Sequence, residues 1–249
     1  MRTWKSPVVF GMAFVLHAAP VFAAQTNVAV AANFTDAARE IGAAFKRKTG
    51  HEAIFSFGSS GQLYTQITQD APFQILLSAD EDRPKQAIAN GLGAPDSRFT
   101  YAIGKLVLWS KQADFVKGVD TLKAGSFSKI SIAAPAAAPY GVAAVETMKA
   151  LNLYDVLKPK VVEGASIAQA FQFVDTANAE VGFIALSQLA GNASGSRWLV
   201  DQALYTPIRQ DAVLLKKGAS IEAATAFMAF LRGPDARIII EKFGYALAQ

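Results

Sequence analysis

The chain has 249 residues, a formal net charge of +4, 52% hydrophobic residues, two histidines and no cysteine. This near-balanced charge gives no indication of nucleic-acid binding, which clustered Lys and Arg residues would signal. The absence of cysteine excludes disulfides and thiol nucleophiles, and predicts no lipid-anchored form. With so little histidine, Ser–His triads and multi-histidine metal sites are disfavoured. The composition favours a binding protein over an enzyme, although an enzyme that uses carboxylates stays open.

The first residues have the pattern of a secretory signal peptide. Arg2 and Lys5 precede an uncharged, mostly apolar run over residues 7–22, which is followed by small residues. A transmembrane anchor is the alternative, but the run is shorter than the roughly 20 residues of a span and contains glycine, histidine and proline. We predict cleavage before Ala24, so that residues 1–23 are removed and the formal net charge falls to +2.

Beyond the signal peptide, apolar runs of strand length alternate with helical patterns, which predicts sheets of parallel strands flanked by helices. The first set of predicted elements comprises strands at 26–32, 52–57 and 73–77 and helices at 35–49, 62–69 and 84–90. The second set comprises strands at 105–110, 130–133, 160–163 and 181–186 and helices at 142–151 and 167–177. An extended stretch at 205–215 and helices at 221–232 and 235–243 follow.

No Gly/Ser-rich linker separates the two sets, and the proposed boundaries near residues 103 and 207 fall inside extended segments. We therefore predict an α/β protein of two lobes, each a mixed, mostly parallel sheet flanked by helices, joined by two crossover strands. Residues 24–103 and 207–249 form the predicted lobe 1, and residues 104–206 form the predicted lobe 2. Short extended hinges allow such lobes to close over a ligand as rigid bodies.

Four predicted strand-to-helix junctions, two in each lobe, carry polar or small residues. They lie at 31–35, 57–61, 139–142 and 165–167. Ligands of open α/β sheets bind beside such junctions, where helix N-termini present unpaired N–H groups and partial positive charge to an anion. Asn33, Ser60 and Tyr140 add neutral side-chain donors, and Ile167 offers its N–H group. Ordinary capping or core packing stays open for each residue taken alone.

Neutral donors also bear on which anion is preferred. A fully deprotonated oxyanion offers only acceptors, whereas a protonated phosphate must donate a hydrogen bond. In a site without a carboxylate, that proton is left unpaired at a cost of about 1–3 kcal/mol.

Six segments follow one another along the mature chain: VAANFTDA at 30–37, SFGSSGQL at 56–63, LSAD at 77–80, PYG at 139–141, GP at 233–234 and FGY at 243–245. Together, and in this order, they resemble segments of periplasmic molybdate-binding proteins. The resemblance implies the type II periplasmic binding protein fold and a tetrahedral oxyanion, molybdate or tungstate, held between the lobes. It places the ligand contacts on Asn33, Ser60, Tyr140 and Ile167. It implies no cofactor, no enzymatic activity and no metal bound as a free cation, since molybdenum enters only as the oxyanion.

The same resemblance implies a monomeric periplasmic carrier that hands its ligand to an inner-membrane ABC permease and discriminates against sulfate and phosphate. One position departs from the family pattern. Some members have a ligand-contacting tyrosine where this chain has Ala185. Our hypothesis is that Tyr140, where other members have a small residue, supplies the missing hydroxyl.

Three alternatives stay open from the sequence. The chain could bind sulfate or another oxyanion, or it could be an adaptor or sensor domain with a protein partner. It could also be a periplasmic enzyme that uses Asp80 or Asp175, although Asp80 is better interpreted as a helix cap or an interlobe hydrogen-bonding group. The exposed charges at 46–48 are interpreted as a solvated helix face.

Overall fold

The computed structural model describes residues 23–191 and 194–248, and in this part of the chain the strands form two five-stranded sheets. The predicted signal peptide lies outside the described residues except for Ala23. Within the described ranges, no helix is long and apolar enough to span a membrane.

The first sheet and its helices form lobe 1, and the second sheet and its helices form lobe 2. Lobe 1 begins with β1 (Gln25–Ala31), α1 (Thr35–Thr49), β2 (Glu52–Gly58), α2 (Ser60–Thr68), β3 (Ile75–Leu77), α3 (Asp82–Ala89) and β4 (Phe99–Gly104). Lobe 2 contains β5 (Leu106–Ser110), α4 (Val119–Ala124), β6 (Ile130–Ala133), α5 (Pro139–Ala150), α6 (Tyr154–Leu157), β7 (Val161–Gly164), α7 (Ile167–Asp175), β8 (Val181–Ala185) and β9 (Ser196–Leu199). Lobe 1 is completed by β10 (Ile208–Leu214), α8 (Glu222–Arg232) and α9 (Pro234–Lys242). Short 3-10 helices lie at Ala32–Phe34, Lys158–Lys160, Leu186–Leu189, Gln202–Leu204 and Lys216–Gly218.

The two sheets share one topology, with strand orders β2-β1-β3-β10-β4 and β7-β6-β8-β5-β9. In each sheet one strand runs against the other four: β10 in lobe 1 and β5 in lobe 2. Each reversed strand is the one by which the chain enters from the other lobe. The predicted α/β fold with mixed, mostly parallel sheets and two crossovers is confirmed. The boundaries near residues 103 and 207 stay a prediction.

Helix α1 shows how the local pattern determines an element and its packing. Ala38, Ile41 and Phe45 are fully buried and lie on one face of the helix. Gly50 ends the helix in a left-handed conformation (φ 77°), and its N–H group donates to the carbonyl of Lys46 at 2.9 Å. The buried face packs on α8, where Phe45 and Phe227 meet edge to face with ring centroids 5.2 Å apart.

The core of lobe 2 extends across the junction between the lobes. It is built on apolar side chains of β5, β6 and β8, and it includes Ala31, Ala32 and Ala79 of lobe 1. The carboxyl-terminal ends of the lobe 1 strands therefore lie directly against lobe 2.

Some sequence-based boundaries are wrong, and four elements were not predicted. Helix α5 begins at Pro139 and not at residue 142, because proline suits the first helical position, where its missing N–H has no partner to lose. Helix α2 begins at Ser60 and not at residue 62. Strands β4 and β9 and the short helices α4 and α6 were missed. The two helices are too short to show a helical periodicity.

Candidate functional site

Two parallel strands of each sheet end at the junction between the lobes, and each of these four strands is followed by a helical segment. Strands β1 and β2 lead to the 3-10 helix Ala32–Phe34 and to α2, and strands β6 and β7 lead to α5 and α7. A small cavity lies where these segments meet. The residues that line it are Ala31, Ala32, Asn33, Gly58, Ser59, Ser60, Ala79, Ala138, Pro139, Tyr140 and Ile167. The structure thus brings together all four residues that the sequence analysis singled out.

The size and lining of the cavity limit its ligand. The cavity has a volume of about 10 Å³. Among the described residues that line it, none has a carboxylate or a basic side chain. The cavity therefore suits a small inorganic species held by neutral donors, since organic ligands of drug size occupy pockets of roughly 300–1,000 Å³.

Ser60 begins α2 and is almost completely buried, at 1% exposure. Its Oγ accepts a hydrogen bond from the backbone N–H of Ala79 at 2.9 Å. Because the hydroxyl acts as an acceptor in this contact, its own hydrogen is left to be donated into the cavity.

Ser59, directly before Ser60, lies in the junction at 57–61 but is not among the four predicted ligand contacts. It is 3% exposed, and its Oγ has no hydrogen-bond partner among the described residues. A buried hydroxyl without a partner costs about 1–3 kcal/mol. A second donor is therefore available beside Ser60, and its position in the Gly58–Gly61 loop was the only sequence signal for it.

Tyr140 reaches the cavity from lobe 2, on the first turn of α5. Its hydroxyl accepts a hydrogen bond from Nε2 of Gln210 at 3.2 Å, and no acceptor for its own hydrogen is found among the described residues. Burial raises the pKa of the Tyr140 phenol well above its ordinary value, and the nearby Tyr245 raises it further. The phenol therefore stays protonated at physiological pH and presents a neutral donor.

Asn33 is held by several partners and not only by its own helix. Its Nδ2 donates to Oε1 of Gln210 at 2.8 Å and to the hydroxyl of Tyr245 at 3.0 Å. Its carbonyl accepts from Tyr245 at 2.7 Å and from Ser187 of lobe 2 at 2.8 Å. Both amide hydrogens are thus used inside the protein, which leaves the backbone N–H at the start of the helical segment as the group for a ligand. The capping role considered for Asn33 is not seen, since no side chain caps α1, the helix that follows it.

Ile167 begins α7, and its side chain is buried in the lobe 2 core. Its carbonyl accepts from Nε2 of Gln188 at 3.1 Å. Ser166 caps the helix by accepting from the N–H of Gln169 at 3.3 Å. Ile167 therefore contributes a rigid backbone position, whose N–H lies in the first turn, where helices leave such groups without an internal partner.

Direct hydrogen bonds join the two lobes beside the cavity. The N–H of Gly61 donates to the carbonyl of Ala137 at 2.9 Å. Gly61 allows this approach because an added Cβ would lie 3.1 Å from the Cα of Ala137. Arg83 also reaches across, from Nη2 to the carbonyl of Ala136 at 3.4 Å.

The carboxylates considered for catalysis have structural partners. Asp80 accepts from the N–H of Arg83 at 2.9 Å and from the hydroxyl of Ser78 at 3.2 Å, and it forms an ion pair with the Arg83 guanidinium. This matches its interpretation as a helix cap. Asp175 is partly exposed and pairs with Lys111 at 3.0 Å, away from the cavity.

Ala185 is fully buried at the end of β8 and does not line the cavity. Tyr140 does line it, and the hypothesis that its hydroxyl compensates for Ala185 stays a prediction. On the exposed face of α1, Lys46 pairs with Glu52 and Lys48 with Asp235, in keeping with a solvated surface.

A larger groove of about 280 Å³ runs along the outer margin of the lobe junction. Its arginines are already compensated: Arg83 by Asp80, and Arg209 by Glu81, whose carboxylate lies 3.6 Å from Nε. Because the positive charges of both arginines are already paired with carboxylates, the groove is a weaker candidate for an anion site than the small cavity.

Comparison with known proteins agrees with this geometry. Residues 26–246 match the family described as bacterial extracellular solute-binding protein. The molybdate-binding protein of Rhodobacter capsulatus is 53% identical over 228 residues, covering 92% of this chain and 90% of the relative. That of Azotobacter vinelandii is 47% identical over 246 residues, covering 97% and 98%. The solved structure of the periplasmic molybdate-binding protein of Azotobacter vinelandii has a TM-score of 0.87 at 38% identity and covers 90% of this chain and all of that one.

Proposed function

Because the chain belongs to the bacterial extracellular solute-binding proteins, and among them to the periplasmic molybdate-binding proteins, we propose that it captures molybdate between its lobes and delivers it to an ABC importer. It is a transport component and not an enzyme, and molybdate is its ligand and not a cofactor. The observation that carries the proposal is the convergence of four strand-to-helix junctions, two from each lobe, on one cavity lined by neutral groups.

We assign the ligand contacts to Asn33, Ser60, Tyr140 and Ile167. Ser60 and Tyr140 each accept a hydrogen bond from the protein and retain a hydrogen for the anion. Asn33 and Ile167 contribute backbone N–H groups at helix starts, where the helix dipole favours negative charge. Hydrogen bonds to a charged group are worth about 1.5–3 kcal/mol each, so four of them hold a buried dianion without a cationic side chain.

We propose that tungstate is bound as well, since it has the same shape and charge as molybdate, and that sulfate and phosphate are discriminated against. Donors fixed on two lobes and spaced for the larger anion cannot all reach sulfate, and each stretched bond forfeits about 0.5–1.5 kcal/mol. A protonated phosphate meets no carboxylate in the lining to accept its proton.

The experiment is a titration of purified residues 24–249 with molybdate, tungstate, sulfate and phosphate, followed by calorimetry and thermal shift. One-to-one binding of molybdate and tungstate, with no heat from sulfate or phosphate, is the expected result. An equal response to sulfate would contradict the proposed selectivity, and no response to molybdate would contradict the proposed ligand.

We propose that the protein works in the periplasm after removal of residues 1–23, as a monomer with residues 24–103 and 207–249 in lobe 1 and 104–206 in lobe 2. A carrier that must present both lobes to a permease gains nothing from burying them in a dimer. N-terminal sequencing of the exported protein should begin at Ala24, and its mass in solution should be that of one chain. A start elsewhere, or a stable dimer, would contradict these two assignments separately.

A further inference from the structure

Gln210 is a fully buried polar residue of β10 that the ligand contacts above do not include. All polar atoms of its side-chain amide are engaged. Oε1 accepts from Nδ2 of Asn33 at 2.8 Å and from the hydroxyl of Tyr101 at 3.1 Å, and Nε2 donates to the hydroxyl of Tyr140 at 3.2 Å. The Asn33 amide, which is a donor, fixes which end of the Gln210 amide faces Tyr140. The single hydrogen of the Tyr101 hydroxyl is shared between Gln210 and the carbonyl of Ser78.

The position of Gln210 on the chain makes this arrangement significant. It lies in the strand by which the chain returns from lobe 2 to lobe 1, and it contacts Asn33 of lobe 1 and Tyr140 of lobe 2. The pairing of β10 with β4 is irregular between Gln210 and Asp211. Such irregularities redirect side chains in a sheet, and here both neighbouring residues are completely buried.

The contact with Gln210 determines what Tyr140 offers to a ligand. A phenol hydroxyl has one hydrogen, which it donates to the strongest acceptor in reach. Since Nε2 of Gln210 is itself a donor, it occupies a lone pair of the Tyr140 oxygen and leaves the hydrogen unused. If the amide were turned or replaced by an acceptor, the hydrogen would be directed away from the cavity.

The contact with Asn33 has a parallel effect on the other lobe. Gln210 and Tyr245 take both hydrogens of the Asn33 amide. The side chain is thereby held in one orientation, and the backbone of Asn33 is fixed at the start of the helical segment. The Gln210 amide therefore holds in place one cavity-lining residue of each lobe, Asn33 and Tyr140.

We infer that Gln210 is a positioning residue for oxyanion binding, which orients the Tyr140 hydroxyl as a hydrogen-bond donor and couples it to Asn33 across the lobe junction. This inference rests on the proposed function, because it assumes that an oxyanion occupies the cavity. It adds that a residue outside the ligand contacts sets the preference for a fully deprotonated oxyanion, because Gln210 keeps the Tyr140 hydroxyl oriented as a donor.

The test is a double-mutant cycle on molybdate affinity, measured by calorimetry on the mature chain. It compares the wild type with Gln210→Met, Tyr140→Phe and the double variant. Met has nearly the length of Gln but no polar group. Each single variant should bind molybdate about tenfold more weakly or worse, as expected when a hydrogen bond to a charged group is lost. The double variant should bind more weakly than Tyr140→Phe, but by less than the full loss seen in Gln210→Met alone. The part of that loss that passes through Tyr140 is already absent, whereas the part that passes through Asn33 remains.

Gln74→Met is the matched control. Gln74 also uses its amide oxygen as an acceptor within lobe 1, for Thr26 Oγ1 at 3.2 Å and for the N–H of Asn27. It lies near the start of β1, at the end of the sheet opposite the cavity. Gln74→Met should lose thermal stability and bind molybdate like the wild type. An affinity loss equal to that of Gln210→Met would mean that both act through general destabilisation, and would overturn the inference.

Gln210→Glu is the second variant, in case Gln210→Met fails to fold. Glu has the same shape and retains an oxygen for Asn33 and Tyr101, but its second oxygen faces Tyr140 as an acceptor. It should bind molybdate more weakly than the wild type by at least about tenfold. Wild-type affinity in Gln210→Glu, or fully multiplicative losses in the cycle, would overturn the inference. Failure of the wild type to bind molybdate would instead refute the proposed function, so the two failures are distinguished.

Discussion

Gly104, at the end of β4, offers a sharp test of how the Tyr140 hydroxyl is placed. A Cβ added at Gly104 would lie 2.1 Å from the Tyr140 hydroxyl oxygen and 2.7 Å from Nε2 of Gln210. Gly104 does not have a positive φ, so alanine would meet no backbone strain there. The effect of Gly104→Ala therefore comes from contact with Tyr140 and Gln210, which have to move.

The size of the effect follows from these distances. Ordinary van der Waals contact begins at 3.4 Å, so the hydroxyl must shift by about 1.3 Å to clear the new methyl group. A shift of that size breaks the 3.2 Å hydrogen bond from Gln210 and takes the hydroxyl out of reach of a bound anion. Overpacking should cost about 1–3 kcal/mol of stability. Loss of a hydrogen bond to a charged ligand, about 1.5–3 kcal/mol, corresponds to molybdate binding that is about 10- to 150-fold weaker.

The assay is calorimetric titration with molybdate, with thermal unfolding as the measure of stability. Gly42→Ala is the control, because its Cβ would lie 2.6 Å from the ring of Phe55, on α1 and away from the cavity. This variant should bind molybdate like the wild type. Gly104→Ala combined with Tyr140→Phe should regain part of the lost stability and bind no more weakly than Tyr140→Phe alone. Wild-type affinity in Gly104→Ala, or a further loss in the combined variant, would refute the reasoning.

Three further predictions concern the donors and the fold. Ser60→Ala should bind molybdate about tenfold more weakly or worse, by calorimetry, because a donor to a charged ligand is lost; unchanged affinity would remove Ser60 from the site. Molybdate affinity should change by less than about twofold between pH 6 and 9, because the buried Tyr140 phenol has a raised pKa and stays protonated, whereas a site built on histidine or lysine would lose affinity as the pH rises. Burial raises the pKa of Glu180, but the N–H groups of Lys129 and Ser128 lower it more, to a net value below 4.5. Its stabilisation is therefore present at neutral pH and is lost as the pH falls through the folded-state pKa. Glu180→Gln should be less stable than the wild type at pH 7, by about 1 kcal/mol or less because the group is partly exposed to solvent. The difference should shrink as the pH falls, measured by urea unfolding, and a difference that does not change with pH would contradict this.

Much of the architecture of each lobe could be predicted from the sequence, because it depends on local sequence patterns. The alternation of strand-length apolar runs with helical periodicity gave the α/β class, and Gly50 marked the end of α1. Strands β4 and β9 were missed because they are defined by pairing with strands distant in the chain, and not by a pattern of their own.

The candidate site was predictable where it depends on strand-to-helix junctions, since polar and small residues at helix starts are a local signal. Asn33, Ser60, Tyr140 and Ile167 were found in this way and line one cavity. Gln210 was not predicted, although the polar Gln-Asp pair in the middle of the extended stretch at 205–215 was a signal that could have indicated it.

By itself, the sequence determined which segments form helices and strands, where helix starts present donors, and that cationic side chains were not needed to hold an anion. Only the tertiary structure decided that donors from both lobes meet, that the cavity is small, and that the Asn33 amide is used internally while Tyr140 keeps a hydrogen. Those features depend on contacts such as Asn33 to Gln210, 177 residues apart in the chain. Local periodicity and capping carry no information about such contacts, because they arise only when segments distant in the chain are packed against each other.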